Sequence, residues 1–165
     1  MSVLAGYDIK QRCLEDGMIS PFVERTVFGG MSYGLSHAGY DIRIKTPELY
    51  RQGVSMWPGR FLLASSVERI KMPKDLICVV HDKSTWARKG LAVQNTVLEP
   101  GWEGWITLEL TNHKWESFGI EDGMPIAQLL FYELSRPVQG YSGKYQNQPD
   151  EAVSAIMEGE SDADE

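Results

Sequence analysis

With 165 residues, 42% of them hydrophobic, the chain has the length of one domain. A domain of this size buries roughly two-thirds of the surface that its unfolded chain exposes, so no disulfide or structural metal is needed. Sixteen basic against 23 acidic residues give a net charge of −7, and Glu158, Glu160, Asp162, Asp164 and Glu165 supply five of those charges. The remaining body is nearly neutral, which argues against nucleic acid as a partner while leaving isolated phosphates open.

Leu4, Ile9, Cys13 and Leu14 recur at helical spacing over residues 4–16, and Gly17 follows as a stop signal; this predicts one clear helix. From Ile19 onward the text turns to short apolar or alternating runs: YDIRI, RFLLASS, LICVV, GLAVQNTVL, WITLELTN and IAQLLFYEL. Pro and Gly punctuate them at Trp57-Pro58-Gly59 and Glu99-Pro100-Gly101, and Glu121-Asp122-Gly123 makes a further turn. Many short strands of this kind predict a mainly β barrel or sandwich. Residues 140–148, GYSGKYQNQ, read as a polar and aromatic segment able to order over a ligand, and the acidic stretch 158–165 as disordered. Cys13 and Cys78 lie far apart in apolar contexts, predicting buried free thiols and a reducing, cytoplasmic setting. The N-terminus has neither a basic start nor a cleavage site, and no run approaches a membrane span, so neither secretion nor a membrane is expected.

His37, His81 and His113 have no cysteine or second histidine at ligand spacing, so no metal site is expected. The zinc deaminase signature, the phosphate-binding and dinucleotide glycine loops and the serine elbow are all missing. Two polar concentrations remain. In Asp82–Gly90, Lys83, Ser84 and Arg88 bring two cations and a hydroxyl within six residues, a set that suits phosphate oxygens or, equally, a solvated basic turn. In Leu98–Leu110, Thr107 and Glu109 share the strand face opposite Ile106, Leu108 and Leu110; that face is either solvent or the wall of a pocket.

The ordered segments AGYDIR (38–43), KSTWARKG (83–90), LEPGWEGWITLEL (98–110), IAQLLF (126–131) and GKYQNQ (143–148) resemble the dCTP deaminases of the dUTPase-like superfamily. The resemblance implies a distorted jelly-roll-type β-barrel with an N-terminal helix, spanning residues 1–148 as one domain, and a disordered tail at 149–165. It further implies a homotrimer with sites between subunits, converting dCTP and water to dUTP and ammonia without a catalytic metal, Mg2+ arriving on the triphosphate. By alignment, Glu109 is the proton shuttle, and Ser84, Arg88 and the carbonyl of Asn95 aim the water. Lys83, Thr85 and Arg88 then lie near the triphosphate, Thr107, Leu108 and Glu109 along the base, Glu99 near the deoxyribose, and Gln128, Tyr141, Lys144 and Gln148 close the site. dTTP is a candidate inhibitor. Two alternatives stay open: a bifunctional enzyme that also cleaves dUTP to dUMP, and a dUTPase-like nucleotide-binding protein.

Overall fold

The computed structural model describes residues 2–158. Its first helix, α1 (Gly6–Asp16), buries Gly6, Ile9 and Cys13 and ends where Gly17 takes φ 67° and returns its N–H to the Arg12 carbonyl. The helix begins later than its apolar spacing suggested. Leu4 is buried before it, in extended chain whose N–H reaches the Phe131 carbonyl. Leu14 points to solvent, because the buried stripe is set by Ile9 and Cys13, one turn apart.

Twelve strands follow: β1 (Ile19–Ser20), β2 (Thr26–Phe28), β3 (Met31–Leu35), β4 (Tyr40–Lys45), β5 (Val54–Met56), β6 (Phe61–Lys71), β7 (Leu76–Asp82), β8 (Leu91–Val93), β9 (Val97–Leu98), β10 (Glu103–Asn112), β11 (Phe118–Ile120) and β12 (Pro125–Glu133). Ten form one antiparallel sheet along the path β8-β10-β6-β4-β12-β7-β9, with β1 on β6 and β3 carrying β2 beside β4; β5 and β11 pair separately. The two ends of that path, β8 and β9, are consecutive in the chain and joined only by residues 94–96. The sheet therefore curls until its edges nearly meet, giving the mainly β, barrel-like architecture expected.

The run GLAVQNTVL, read as one strand, is two. Leu91–Val93 pair with β10, and Val97–Leu98 cross to the opposite edge and pair with β7. Residues 84–88 form a five-residue helix, α2 (Ser84–Arg88), rather than a plain turn, because Trp86 is drawn inward and its indole N–H bonds the Pro125 carbonyl at 2.7 Å. Ile42, Ile44, Leu108, Leu110, Leu129 and Phe131 fill the barrel as its fully buried core. Both cysteines are buried and free, and burial pushes the Cys13 thiol up to about 12 and the Cys78 thiol higher still. Among the described residues no helix is long and apolar enough to cross a membrane.

Candidate active site

Where β8 leaves β10 and crosses to the far edge, the sheet gapes. A cavity of about 440 Å³ opens there, within the size range of small-ligand sites. Its wall is the middle of β10. Thr107 and Glu109 face it, with Leu63 of β6 directly opposite Glu109. Strict alternation would send Ile106 away with Leu108, yet Ile106 also lines the cavity. The cause is a bulge: Trp105 opposes Arg69 but Thr107 opposes Ser65, and the Ser66 hydroxyl accepts the Ile106 N–H at 2.9 Å while donating to the Glu68 carbonyl at 2.6 Å.

Glu109 is half-buried, and its carboxylate has no hydrogen bond or ion pair among the described residues. Burial raises its pKa above the ordinary carboxyl value. A carboxyl left without a partner at the wall of a cavity is suited to both taking and giving a proton. Beside it, the Asn95 side chain bonds β10 twice, accepting the Glu109 N–H at 3.0 Å and donating to the Thr107 carbonyl at 2.6 Å.

Of the residues singled out from the sequence, the structure brings Asn95, Thr107, Glu109 and Gln148 together around this cavity. The others lie elsewhere in the single chain. Leu108 is fully buried on the opposite, core-facing side of β10, paired with Ala64 of β6. Ser84, Thr85 and Arg88 are exposed on α2, where none of their side chains makes a hydrogen bond or ion pair among the described residues. Lys83 is buried, and its ammonium is committed to Asp41 at 2.8 Å. One Asp41 carboxylate oxygen is buried without a hydrogen-bond partner. Glu99 is exposed, and Gln128 sits part-buried on β12 between Asp41 and His81 in cross-strand register.

Residues 140–148 run back along the start of β10. The Tyr141 N–H reaches the Pro100 carbonyl at 2.7 Å, the Trp102 indole reaches the Tyr145 carbonyl at 2.6 Å, and Gln148 bridges in parallel to Gly104. Gly104 is required there: at φ 148°, a Cβ would sit 2.6 Å from the Gln148 nitrogen. The Gln148 side chain approaches the Thr107 hydroxyl at 3.4 Å, while Tyr141 packs beside the core instead of lining the cavity. Lys144 pairs with Glu158 at 3.2 Å. The chain then continues across the cavity mouth, where the Val153 N–H bonds the Thr107 hydroxyl at 3.0 Å and the Ile156 N–H bonds the Tyr145 hydroxyl at 3.0 Å. The rest of the acidic stretch, 159–165, lies outside the described residues. Sequence reasoning missed Tyr145 and Leu63 as lining residues. Tyr145 sat inside the GKYQNQ segment, and Leu63 shares with Phe61 the cavity face of an alternating run.

A family model described as dCTP deaminase-like matches residues 41–134. The chain is 38% identical to a dCTP deaminase of Herpetosiphon aurantiacus, covering 90% of this chain and 96% of that one. It is 35% identical to a dCTP deaminase of Anaplasma phagocytophilum, covering 94% and 100%. Among solved structures, a 2'-deoxycytidine 5'-triphosphate deaminase from Agrobacterium tumefaciens superposes with a TM-score of 0.63 at 16% identity, over 78% of this chain and 48% of that one. The native EIAV dUTPase superposes with a TM-score of 0.54 at 18% identity, over 77% and 98%. The structural likenesses speak for the fold. The sequence matches, which run through the strands that build the cavity, establish that this chain belongs to the dCTP deaminase-like family.

Proposed function

We propose that the chain hydrolyses dCTP to dUTP and ammonia, with Glu109 as the proton shuttle. The observation that carries this reading is the Glu109 carboxyl, without a partner among the described residues and with its pKa raised by burial, in a cavity of about 440 Å³. Ionised Glu109 takes a proton from the water that attacks C4 and passes it to N3, so that no anion accumulates on the ring. The tetrahedral carbon then holds a hydroxyl and an amino group. Glu109 moves the hydroxyl proton to the amine, the C4–N bond breaks, and ammonia leaves a uracil that keeps the N3 proton.

Thr107 orients the base beside Glu109, and the Asn95 carbonyl helps to aim the water. Ser84 and Arg88 come from α2 of a second copy in a homotrimer; what supports this is that α2 presents both side chains to solvent without partners among the described residues. Arg88 and Thr85 then meet the triphosphate, where the planar guanidinium fork matches phosphate oxygens. Lys83 gives one ammonium hydrogen to Asp41, which fixes the root of α2 and leaves its other donors for a phosphate. In the assembled trimer Glu99, just after β9, and Gln128 of β12 border the site, and the 140–148 segment with Tyr141, Lys144 and Gln148 closes it.

Magnesium enters on the triphosphate in this reading. Among the described residues no group of three or more His, Cys, Asp or Glu converges as a protein ligand set. Because Val153 occupies the Thr107 hydroxyl, the segment after Gln148 shifts when the base enters. Incubation with dCTP and Mg2+ tests the proposal: dUTP and ammonia are the expected products, dUMP with pyrophosphate identifies the bifunctional alternative, and binding without turnover identifies a nucleotide-binding protein.

A further inference from the structure

The Asn95 side chain does the work of a missing strand. Backbone pairing between β8 and β10 stops at Val93 opposite Leu110. Beyond that point the chain turns toward β7, and of residues 107–109 only Glu109 keeps a backbone neighbour on this side, just where the cavity opens. Two contacts bridge the gap. The Gln94 N–H reaches the Glu109 carbonyl at 2.8 Å, and the Asn95 amide spans the two remaining groups, accepting from the Glu109 N–H and donating to the Thr107 carbonyl. The partners fix which end of the amide is which, since an N–H needs an acceptor and a carbonyl needs a donor. No other side chain of that length offers a donor and an acceptor fork in one plane: Asp lacks the donor, and Leu or Val lacks both.

We propose that the Asn95 side chain is a positioning residue for the deamination step: by copying the bonding of a strand residue, it holds Thr107 and Glu109 aimed into the cavity after the sheet has parted. This rests on the reading of Glu109 as the proton shuttle, and it is separate from the water contact assigned to the Asn95 backbone carbonyl. Removing the amide frees the Glu109 backbone to swing, and small misplacements at a reacting group are costly in rate.

Three measurements on Asn95→Ala and Asn95→Asp test it. In Asn95→Ala, kcat for dCTP is expected to fall about ten- to a hundredfold with KM changed less than about threefold, because the loss falls on geometry at the reacting atom. Asn95→Asp still accepts the Glu109 N–H but places a second carboxylate nearby, so the acid limb of its pH–rate profile is expected to move to higher pH, since a like charge opposes ionisation of Glu109. Independently of turnover, hydrogen exchange at the Glu109 amide is expected to be slow in the wild type and at least about tenfold faster in Asn95→Ala, as the proton loses its acceptor. Wild-type kcat in Asn95→Ala, an unmoved pH profile in Asn95→Asp, or unchanged exchange at the Glu109 amide each overturns the proposal. A wild-type protein that does not deaminate dCTP while Asn95→Ala still speeds that exchange overturns the function and leaves the positioning geometry standing.

Discussion

Glu109 combines two properties that a structural residue rarely keeps together: it is partly withdrawn from water, and none of the described residues satisfies its charge. A carboxyl whose folded pKa lies above its unfolded value stabilises the fold below the unfolded pKa and loses that contribution as pH rises through the folded one. At neutral pH the ionised form therefore costs stability. Glu109→Gln keeps the shape without the charge, so its melting temperature at pH 7 is expected to equal or exceed that of the wild type, and the difference should shrink toward pH 4. Paired thermal melts across that range check it; a variant markedly less stable at pH 7 would show that the carboxylate has a structural partner after all. The candidate role of Glu109 was legible from the alternation in WITLELTN together with the family resemblance. The fate of Lys83 was not, because its partner Asp41 lies 42 residues away and on another strand.

At the scale of elements, the long strands were legible wherever an apolar run or alternation was sustained, as in β6, β10 and β12. The short strands β1, β2, β5 and β11 have too few residues to show a period and exist only through their neighbours. The division of GLAVQNTVL was hidden for a different reason. Asn95 is the one break signal inside it, and closure of the barrel decides that Leu91–Val93 pair with one edge and Val97–Leu98 with the other. The packing of residues 140–158 along β10 also depends on Gly104, whose lack of a side chain lets the Gln148 backbone approach. Gly104→Ala is expected to cost about 1–3 kcal/mol through the unfavourable backbone region alone. Because it also pushes Gln148 away, dCTP binding should weaken more than global stability does. Urea unfolding beside nucleotide titration separates the two effects, and unchanged affinity would remove Gln148 from the site.

For the whole molecule, a single chain forms the cavity but leaves Ser84 and Arg88 outside it, on a helix facing solvent. A site completed by a second copy resolves that separation. Light scattering at micromolar concentration is expected to show a trimer. Glu109→Gln and Arg88→Ala, each inactive alone, should recover about a quarter of wild-type activity when unfolded and reassembled in equal amounts, because random pairing of subunits restores that share of the sites. No recovery from well-assembled mixed trimers would place both residues in one subunit's site.

In the proposed reaction Glu109 relays protons during hydrolysis at C4 of dCTP. This relay is tested most directly by following dCTP consumption, dUTP and ammonia together for the wild type and for Glu109→Gln in the presence of Mg2+. Equal amounts of dUTP and ammonia are expected from the wild type, with Glu109→Gln binding dCTP yet turning over at least about a hundredfold more slowly through loss of a general acid and base. Near-normal turnover by Glu109→Gln, or a wild-type protein that binds dCTP and releases no ammonia, would contradict it.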